Sequence, residues 1–315
     1  MTREKVVKGT IYGLISLILV SFEPIVAAAK PDEIDAYLFA TTTCVIEALI
    51  FGPLMGIERR KMKSFQINNP SSKEVIFSRL NSWKKRKNLF FMVYIGINFA
   101  IAQILFFLAI QLGGAINIAL AQQMSLIFAL LFGFLINHEK ITIVQIAFSF
   151  ILIFGLTLAI TQGSLNVLEL NVGVAIMIFT TILWTVAHAK TKNIFKREEF
   201  TPTQFVFIRN LLSGSILIST YFLFFPLENI KLFFNPLNQF YFITMGFLYG
   251  FDVFFWYKTL ENLDFSKAEV IVTPMPLLTA LFATIILGET FTIFHLIGAL
   301  IIISSIIMIV RQKKE

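Results

Sequence analysis

Two stretches of the chain share one arrangement: residues 124–143 read MSLIFALLFGFLINHEKITI, and residues 275–293 read MPLLTALFATIILGETFTI. In each stretch a long apolar run leads into a short polar turn that contains a glutamate. Glu139 of the first stretch aligns with Glu289 of the second, about 150 residues later. A match at a fixed long offset indicates an internal repeat, and transporters are often built from such repeats.

The composition of the chain excludes most soluble proteins. Of its 315 residues 57% are hydrophobic and only 14% are charged, with a mean hydropathy of +0.80. Soluble domains carry about 25% charged residues. The formal net charge of +7 is typical of nucleic-acid-binding proteins, but here the basic residues lie between apolar runs too long for a soluble fold. A polytopic membrane protein without a nucleic-acid partner is therefore predicted.

Cysteine and histidine are too scarce for a metal centre. Cys44 is the single cysteine, so there is no intrachain disulfide and no cysteine zinc site. The three histidines, His138, His188 and His295, are far apart in the sequence. No run resembles a nucleotide-binding loop. We expect no cofactor and no bound metal.

Ten apolar runs are long enough to cross a bilayer, which takes about 20 residues of helix. Their hydrophobicity does not alternate, so each is predicted to be a helix rather than a barrel strand. The ten predicted spans are Gly9–Ala29, Ala36–Gly56, Leu89–Leu112, Ala115–Ile136, Ile141–Ile160, Val172–Ala189, Phe205–Phe225, Phe240–Tyr257, Ala268–Leu287 and Phe291–Val310.

The distribution of lysine and arginine predicts the orientation of these spans. With the N-terminus inside, 23 basic residues fall on the cytoplasmic side, two (Lys30 and Lys231) fall outside, and Arg209 lies within a span. Both termini are then cytoplasmic in the cell membrane. Because each repeat holds five spans, residues 1–160 and 161–315 form two halves of opposite topology.

The second half resembles a known family. The stretch from Phe251 to Ile309 is similar to the C-terminal half of an EamA-type protein of the drug/metabolite transporter superfamily. The matching features are the tract after Lys267, Pro274, Pro276, the turn Leu287-Gly288-Glu289, and Gly298. The resemblance covers nearly the whole chain as two five-helix halves. It implies a transporter whose cavity walls come mainly from the first, fourth, sixth and ninth spans.

The sequence departs from the family pattern in its first half. Ser21-Phe22-Glu23-Pro24 stands where the family often has a tryptophan-glycine pair, whereas the sixth span keeps Trp184. Gln123 or Ser125 stands where a proline is common. Because family members carry very different small molecules, the resemblance leaves the substrate open.

Ionisable residues inside the spans are the first candidates for function, because each costs about 2.5–3.5 kcal/mol on insertion scales. Glu23 is followed by Pro24, which removes a backbone donor and is expected to kink the helix. A carboxylate beside an opened helix suits a proton or cation site. The alternative is a hydrated glutamate at the outer interface.

Arg209 and Asp252 are predicted to form a pair. Each lies about five residues from the cytoplasmic end of its span, roughly 7 Å deep, so the two side chains meet if their helices face each other. Such a pair is either structural or an inner gate. Alternatively, Arg209 receives a substrate carboxylate, or it extends to the inner headgroups.

Glu47 and His188 have equally open roles. Glu47 lies near the middle of the second span, where it relays protons or hydrogen-bonds to threonines such as Thr43. His188 lies near the inner end of the sixth span and titrates near neutral pH, which suits a proton-coupled step. A lone histidine at an interface is more often without function.

Uncharged side chains complete the candidate site. Gln103, Gln122 and Gln123 bind a polar substrate or join helices. Trp184 and Tyr249 are cavity candidates, whereas Trp256, next to Tyr257, is assigned to the membrane interface. The gating candidates are Pro24, Pro274 and Pro276, since the last two interrupt the hydrogen-bond ladder of the ninth span.

The basic loop at residues 57–88 is the only long polar segment. It is interpreted as a flexible topogenic linker, with a short basic helix on anionic lipid as the alternative.

The sequence therefore predicts a secondary active or facilitative transporter, an exporter of small organic metabolites such as amino acids, working by alternating access. Its partners are a small-molecule substrate, protons or another coupling ion, and the lipid bilayer, and it is a monomer or homodimer. A membrane-embedded enzyme needs paired acids or a Ser/His arrangement at one depth, and the acids here are scattered along the sequence. A non-transporting scaffold or a channel leaves the repeat unexplained.

Overall fold

The part of the chain that the structure describes folds into helices joined by short turns. The structure, a computed structural model, describes residues 3–68, 73–137, 141–166, 171–263, 268 and 271–311, and this part contains no β-strand. The helices are α1 Arg3–Ala29, α2 Ala36–Asn68, α3 Lys73–Asn81, α4 Arg86–Gly113, α5 Ala115–Gln122, α6 Ser125–Asn137, α7 Ile143–Ile160, α8 Val172–Lys196, α9 Pro202–Phe224, α10 Ile230–Phe234, α11 Pro236–Asn262, α12 Met275–Ile286 and α13 Ile293–Arg311.

Length and apolar composition identify the membrane-crossing helices. Within the described residues, seven helices are long and apolar enough to cross a membrane, namely Glu4–Ala29, Ala36–Phe65, Arg86–Gly113, Ala115–Phe132, Ile143–Ile160, Val172–Lys196 and Pro202–Phe224. Two shorter apolar helices lie at Met275–Ile286 and Ile293–Ile309. The prediction of an all-helical, multi-pass membrane protein is confirmed, and the count of ten spans stays a prediction.

Five helix pairs each join a helix of the first predicted half to a helix of the second. Helix α1 packs on α11, α4 on α8, α2 on α9, α5 on α12, and α7 on α13. In the numbering of the predicted spans these are the pairs 1 and 8, 3 and 6, 2 and 7, 4 and 9, and 5 and 10. Exchanging each span with the one five places away returns the same set of pairs, as a two-fold repeat requires.

The fourth and ninth predicted spans are each interrupted near their middle. A turn at Gln123 and Met124 separates α5 from α6, and a turn at Thr273 and Pro274 precedes α12. Pro274 and Pro276 therefore interrupt a helix as predicted, with Pro276 in the first turn of α12. The corresponding break in the first half contains no proline and lies within the candidate span Ala115–Phe132, so the span predicted at Ala115–Ile136 holds a turn that the sequence did not predict.

Helix α1, by contrast, runs without a break through Pro24. The expected opening of the helix beside Glu23 is therefore absent. A proline inside a helix removes one hydrogen bond, and the tight packing of α1 on α11 keeps the remaining turns together.

Helices α7 and α13 approach closely because both carry glycine at the contact. A Cβ atom on Gly298 would lie 2.5 Å from the carbonyl oxygen of Gly155 and 2.6 Å from the Cβ atom of Ala159. Each helix also begins with the same reciprocal cap. Thr142 and Gln145 exchange hydrogen bonds at the start of α7, as Thr292 and His295 do at the start of α13.

The turn before α13 contacts the N-terminus of α5. The carboxylate of Glu289 accepts hydrogen bonds from the backbone N–H groups of Ala115 (2.8 Å) and Ile116 (3.1 Å), the first residues of α5. A carboxylate at a helix N-terminus satisfies unpaired donors and interacts favourably with the helix dipole. Glu289 thus joins the two predicted halves. Its repeat counterpart Glu139, with His138, lies outside the described residues.

The loop at residues 57–88 is largely helical, which corrects the interpretation as a flexible linker. Helix α2 continues to Asn68, and α3 with a short 3-10 helix at Ser82–Lys84 fills most of the remainder. Ile76 and Leu80 of α3 are buried, and Arg79 pairs with Glu198 and Glu261. Apolar burial and ion pairs therefore hold this segment against the bundle.

Candidate functional site

A cavity of about 100 Å³ lies inside the bundle. Helices α1, α4, α5, α6, α8, α9, α11 and α12 contribute to its wall, so the four spans implied by the family resemblance are joined by the third, seventh and eighth. The predicted site residues in the wall are Glu23, Gln122, Gln123, Trp184, His188, Arg209, Tyr249 and Asp252. Glu47 is buried behind the wall against Arg209, and Gln103 lies beside Glu47.

Two carboxyl groups meet on one side of the cavity. Glu23 of α1 and Asp252 of α11 are 2% and 8% exposed, and their carboxyl groups lie within hydrogen-bonding reach of each other. The hydroxyl of Ser16, two turns before Glu23 on the same face of α1, donates to Asp252 Oδ1 at 2.5 Å. Two carboxyl groups form a hydrogen bond only when one of them carries a proton, so the pair is suited to hold a proton or a cation.

A buried guanidinium stands on another part of the wall. Arg209 Nη2 lies 3.3 Å from Glu47 Oε2, and both side chains are fully buried. Asn210 donates to the same carboxylate oxygen at 2.6 Å and accepts from Arg209 Nε at 3.2 Å. The guanidinium carbon lies 4.3 Å from the centre of the Phe99 ring and 5.8 Å from that of Tyr249. These contacts fix the orientation of Arg209.

The predicted pair of Arg209 with Asp252 was wrong. Arg209 forms its ion pair with Glu47, and Asp252 contacts Ser16 and Glu23. The reason is that α9 packs mainly on α2, so its arginine is presented to the acid of that helix. For Glu47, neither alternative included this ion pair, and the Thr43 hydroxyl donates instead to the carbonyl of Phe39.

Several polar atoms around the cavity have no hydrogen-bond partner among the described residues. They are Glu23 Oε1, Gln122 Oε1, Trp184 Nε1, His188 Nδ1 and Arg209 Nη1. A buried polar atom without a partner costs about 1–3 kcal/mol. Donors and acceptors without partners around one cavity are suited to bind a polar ligand.

Aromatic rings line a further part of the wall. The His188 imidazole lies among Phe99, Trp256 and Tyr257, with ring centres 5.6, 6.2 and 5.7 Å away. Trp256 therefore contributes to the cavity, and its assignment to the membrane interface was wrong. The hydroxyl of Tyr257 lies beside the Arg209 guanidinium without a hydrogen bond of regular geometry.

The two helix breaks meet at the cavity. Gln123, at the end of α5, directs its amide nitrogen to the sulfur of Met275, the first residue of α12, at 3.7 Å. Both residues line the cavity. The structure thus places the interrupted helices of the two halves side by side at the centre of the bundle.

Sequence reasoning missed several polar residues of the site, among them Thr185, Ser16 and Asn210. For Ser16 and Asn210 a signal was present. Ser16 lies seven residues before Glu23 and therefore on the same face of the helix, and Asn210 is a polar residue inside an apolar span, adjacent to Arg209. Among the described residues, no group of three or more histidine, cysteine, aspartate or glutamate side chains could hold a metal ion.

Comparisons with known proteins agree with this arrangement. A model of the EamA-like transporter family matches residues 7–161 and 171–311. An uncharacterized transporter of Archaeoglobus fulgidus is 26% identical over 216 residues, which cover 66% of this chain and 71% of that protein. A protein of known crystal structure shares the fold with a TM-score of 0.65 and 13% identity, over 95% of each chain.

Proposed function

The chain belongs to the EamA-like transporter family, and from this premise and the cavity we propose an exporter of small dipolar metabolites, such as amino acids, by alternating access. Membership in a family of transporters agrees with the multi-pass helical fold. The observation that carries the substrate class is the separation of charge in the cavity wall. Acids stand on one part of the wall, and a guanidinium with an open nitrogen stands on another.

The acid pair suits the ammonium end of such a substrate. Glu23 and Asp252 together offer up to four carboxylate oxygens, and an ammonium group has three N–H donors. Trp184 and Tyr249 also line the cavity, and aromatic faces attract cations.

Arg209 suits the carboxylate end. Its Nη2 is committed to Glu47, but Nη1 has no partner among the described residues, and Arg209 lines the cavity. A guanidinium nitrogen held in place by Glu47 and Asn210 is prepared to donate a charge-assisted hydrogen bond. A substrate with both an ammonium and a carboxylate would engage both parts of the wall.

The balance of buried charge supports proton coupling. Glu23, Glu47 and Asp252 face a single guanidinium, so full ionisation would leave two uncompensated negative charges inside the membrane. Such charges are very costly in that environment. We propose that protons, exchanged with the substrate ammonium at Glu23 and Asp252, neutralise the excess.

The packing of the helices supports alternating access by two halves. The five helix pairs are symmetric under exchange of residues 1–160 with 161–315, and the broken helices of both halves meet at the cavity. We propose that the chain crosses the cell membrane ten times, as two inverted five-helix repeats. From the distribution of basic residues we propose that both termini are cytoplasmic, and that the protein is a monomer or homodimer.

Flux measurements in proteoliposomes test this proposal. Amino acids, nucleosides and sugars are offered with and without a pH gradient. We expect amino-acid flux that depends on the gradient, and Glu23→Gln is expected to abolish that dependence. Glu4→Gln is the matched control, because Glu4 is an exposed acid of the same helix. Unchanged flux and pH dependence in Glu23→Gln would remove Glu23 from the mechanism.

The role of Arg209 is tested by comparing the flux of amino acids with the flux of the corresponding amines, which lack the carboxylate. Arg209→Lys keeps the positive charge but lacks the planar guanidinium. We expect it to slow amino-acid flux at least tenfold and to leave amine flux nearly unchanged. An equal loss for both substrates would assign Arg209 a structural role only.

A further inference from the structure

A run of exposed cations lies where α4 begins. Lys84, Lys85, Arg86 and Lys87 are all exposed. Lys85 pairs with Glu199 at 3.1 Å. The other three have no carboxylate partner among the described residues, so their charge is available to a ligand.

Exposed aromatic side chains stand among these cations. Trp83 and Phe90 are 47% and 63% exposed. The Lys84 ammonium lies 5.6 Å from the Trp83 ring, and the Arg86 guanidinium lies 5.6 Å from the Phe90 ring. We call the set Trp83, Lys84, Arg86, Lys87 and Phe90 the juxtamembrane basic surface.

This surface continues directly into a stripe that faces lipid. On α4, large apolar residues are exposed at every fourth position, as expected for the lipid-facing side of a membrane helix, at Leu89, Val93, Ile97 and Ile101. Lys87 precedes Leu89 by two residues, about 3 Å along the helix. The cations therefore lie at the depth of lipid headgroups.

The segment that carries this surface is anchored to the rest of the protein. Ile76 and Leu80 of α3 are buried, and Arg59 donates to the Leu80 carbonyl at 2.9 Å. Arg79 lies within 3.9 Å of Glu198 and 3.7 Å of Glu261, which follow α8 and end α11. A ligand bound here is thereby connected to helices that line the cavity.

We propose that the juxtamembrane basic surface binds the phosphate groups of anionic phospholipids. Three cations without a carboxylate partner among the described residues complement the negative charge of anionic headgroups, and tryptophan is enriched at the same level of the bilayer. The exposed aromatic rings and the adjoining apolar stripe favour a lipid over a soluble acidic protein. The inference rests on the proposed function only in assigning this leaflet to the cytoplasmic side.

Thermal unfolding in defined lipid tests the proposal. The purified protein is placed in nanodiscs of phosphatidylcholine alone or of equal parts phosphatidylcholine and phosphatidylglycerol. We expect the anionic lipid to raise the melting temperature by a few degrees, because a ligand that binds the folded state stabilises it. The triple variant K84Q/R86Q/K87Q is expected to match the wild type in phosphatidylcholine and to gain nothing from phosphatidylglycerol.

The matched control is R60Q/K61Q/K63Q, which removes three exposed charges from the extension of α2 beyond its apolar part. It is expected to gain as much from anionic lipid as the wild type. A full response in K84Q/R86Q/K87Q, or an equal loss in the control, would overturn the proposal. So would the same stabilisation by inorganic phosphate in phosphatidylcholine nanodiscs. Because the readout is not transport, failure here would leave the proposed function intact.

Discussion

Glu47→Gln is the sharpest test of the buried cluster. The substitution removes one charge at nearly constant shape, and its amide oxygen still accepts the hydrogen bond that Asn210 donates to Glu47 at 2.6 Å. What it takes away is the counter-charge of Arg209, whose guanidinium is fully buried. We expect a large loss of stability from a change of very few atoms.

The size of the loss follows from the geometry. Two unit charges 3.3 Å apart attract by about 5 kcal/mol at an effective dielectric constant of about 20. Removing one partner of a buried pair costs about 3–5 kcal/mol in practice. The Phe99 ring, 4.3 Å from the guanidinium, remains as a weak partner, so we expect the lower end, about 3 kcal/mol.

Thermal unfolding in detergent measures this loss. At about 2 °C per kcal/mol for a chain of this size, the melting temperature should fall by about 6 °C. Glu228→Gln, at an exposed acid, is the matched control and should unfold with the wild type.

A double variant, Glu47→Met with Arg209→Met, separates stability from function. Because both charges leave together, we expect it to recover most of the lost stability. The double variant should nevertheless not transport amino acids, since Arg209 is the proposed ligand of the substrate carboxylate. A melting temperature of Glu47→Gln equal to that of the wild type would refute the reasoning. So would a double variant as unstable as the two single changes added together.

Two further predictions concern contacts between the halves. Glu289→Ala removes the acceptor for the first two backbone N–H groups of α5, and we expect it to lower the free energy of unfolding by about 2–3 kcal/mol. Thermal unfolding measures this loss, with Glu228→Ala as the control. Gly298→Ala places a methyl group 2.5 Å from the carbonyl oxygen of Gly155, so α7 and α13 must separate. We expect the free energy of unfolding to fall by about 1–3 kcal/mol. A melting temperature equal to that of the wild type would show that this contact is loose.

The positions of the helices could be predicted from the sequence because the bilayer imposes a length and a polarity on each span. Their ends could not. Helix α2 was expected to end at Gly56 but continues to Asn68, since a helix that satisfies its own backbone has no reason to stop at the membrane surface. Hydropathy locates the lipid-facing part of a helix and says nothing about its extension into water.

Of the two helix breaks, one could be predicted from the sequence and the other could not. Pro274 and Pro276 identified the break in the second half, because proline cannot continue the hydrogen-bond ladder. The break at Gln123 and Met124 contains no proline, and its Gln123 contacts Met275 at the break of the second half. The alignment of Met124 with Met275 was the available signal, since it places the two turns at equivalent positions of the repeat.

Eight of the ten candidate binding residues, all except Glu47 and Gln103, line the cavity, because an ionisable or polar residue inside a span is rarely placed there without a partner or a role. Their pairing was not predictable from depth alone. Arg209 and Asp252 were expected to meet because they lie equally deep, but depth gives the position along a helix axis and not the direction of the side chain around it. The packing of α9 on α2 decided that Arg209 meets Glu47.

The charged contacts around the cavity all join the two proposed halves. Glu23 and Glu47 belong to residues 1–160, whereas Arg209 and Asp252 belong to residues 161–315. A ligand shifts a conformational equilibrium only through its different affinity for the two states. A proton or an ammonium group bound between Glu23 and Asp252 replaces repulsion between two carboxylates by attraction, and therefore acts directly on the contact between the halves. Under the proposed function, the residues that bind the substrate are then also the residues whose separation opens the cavity. Substrate binding therefore acts on the movement directly, without a chain of intermediate residues.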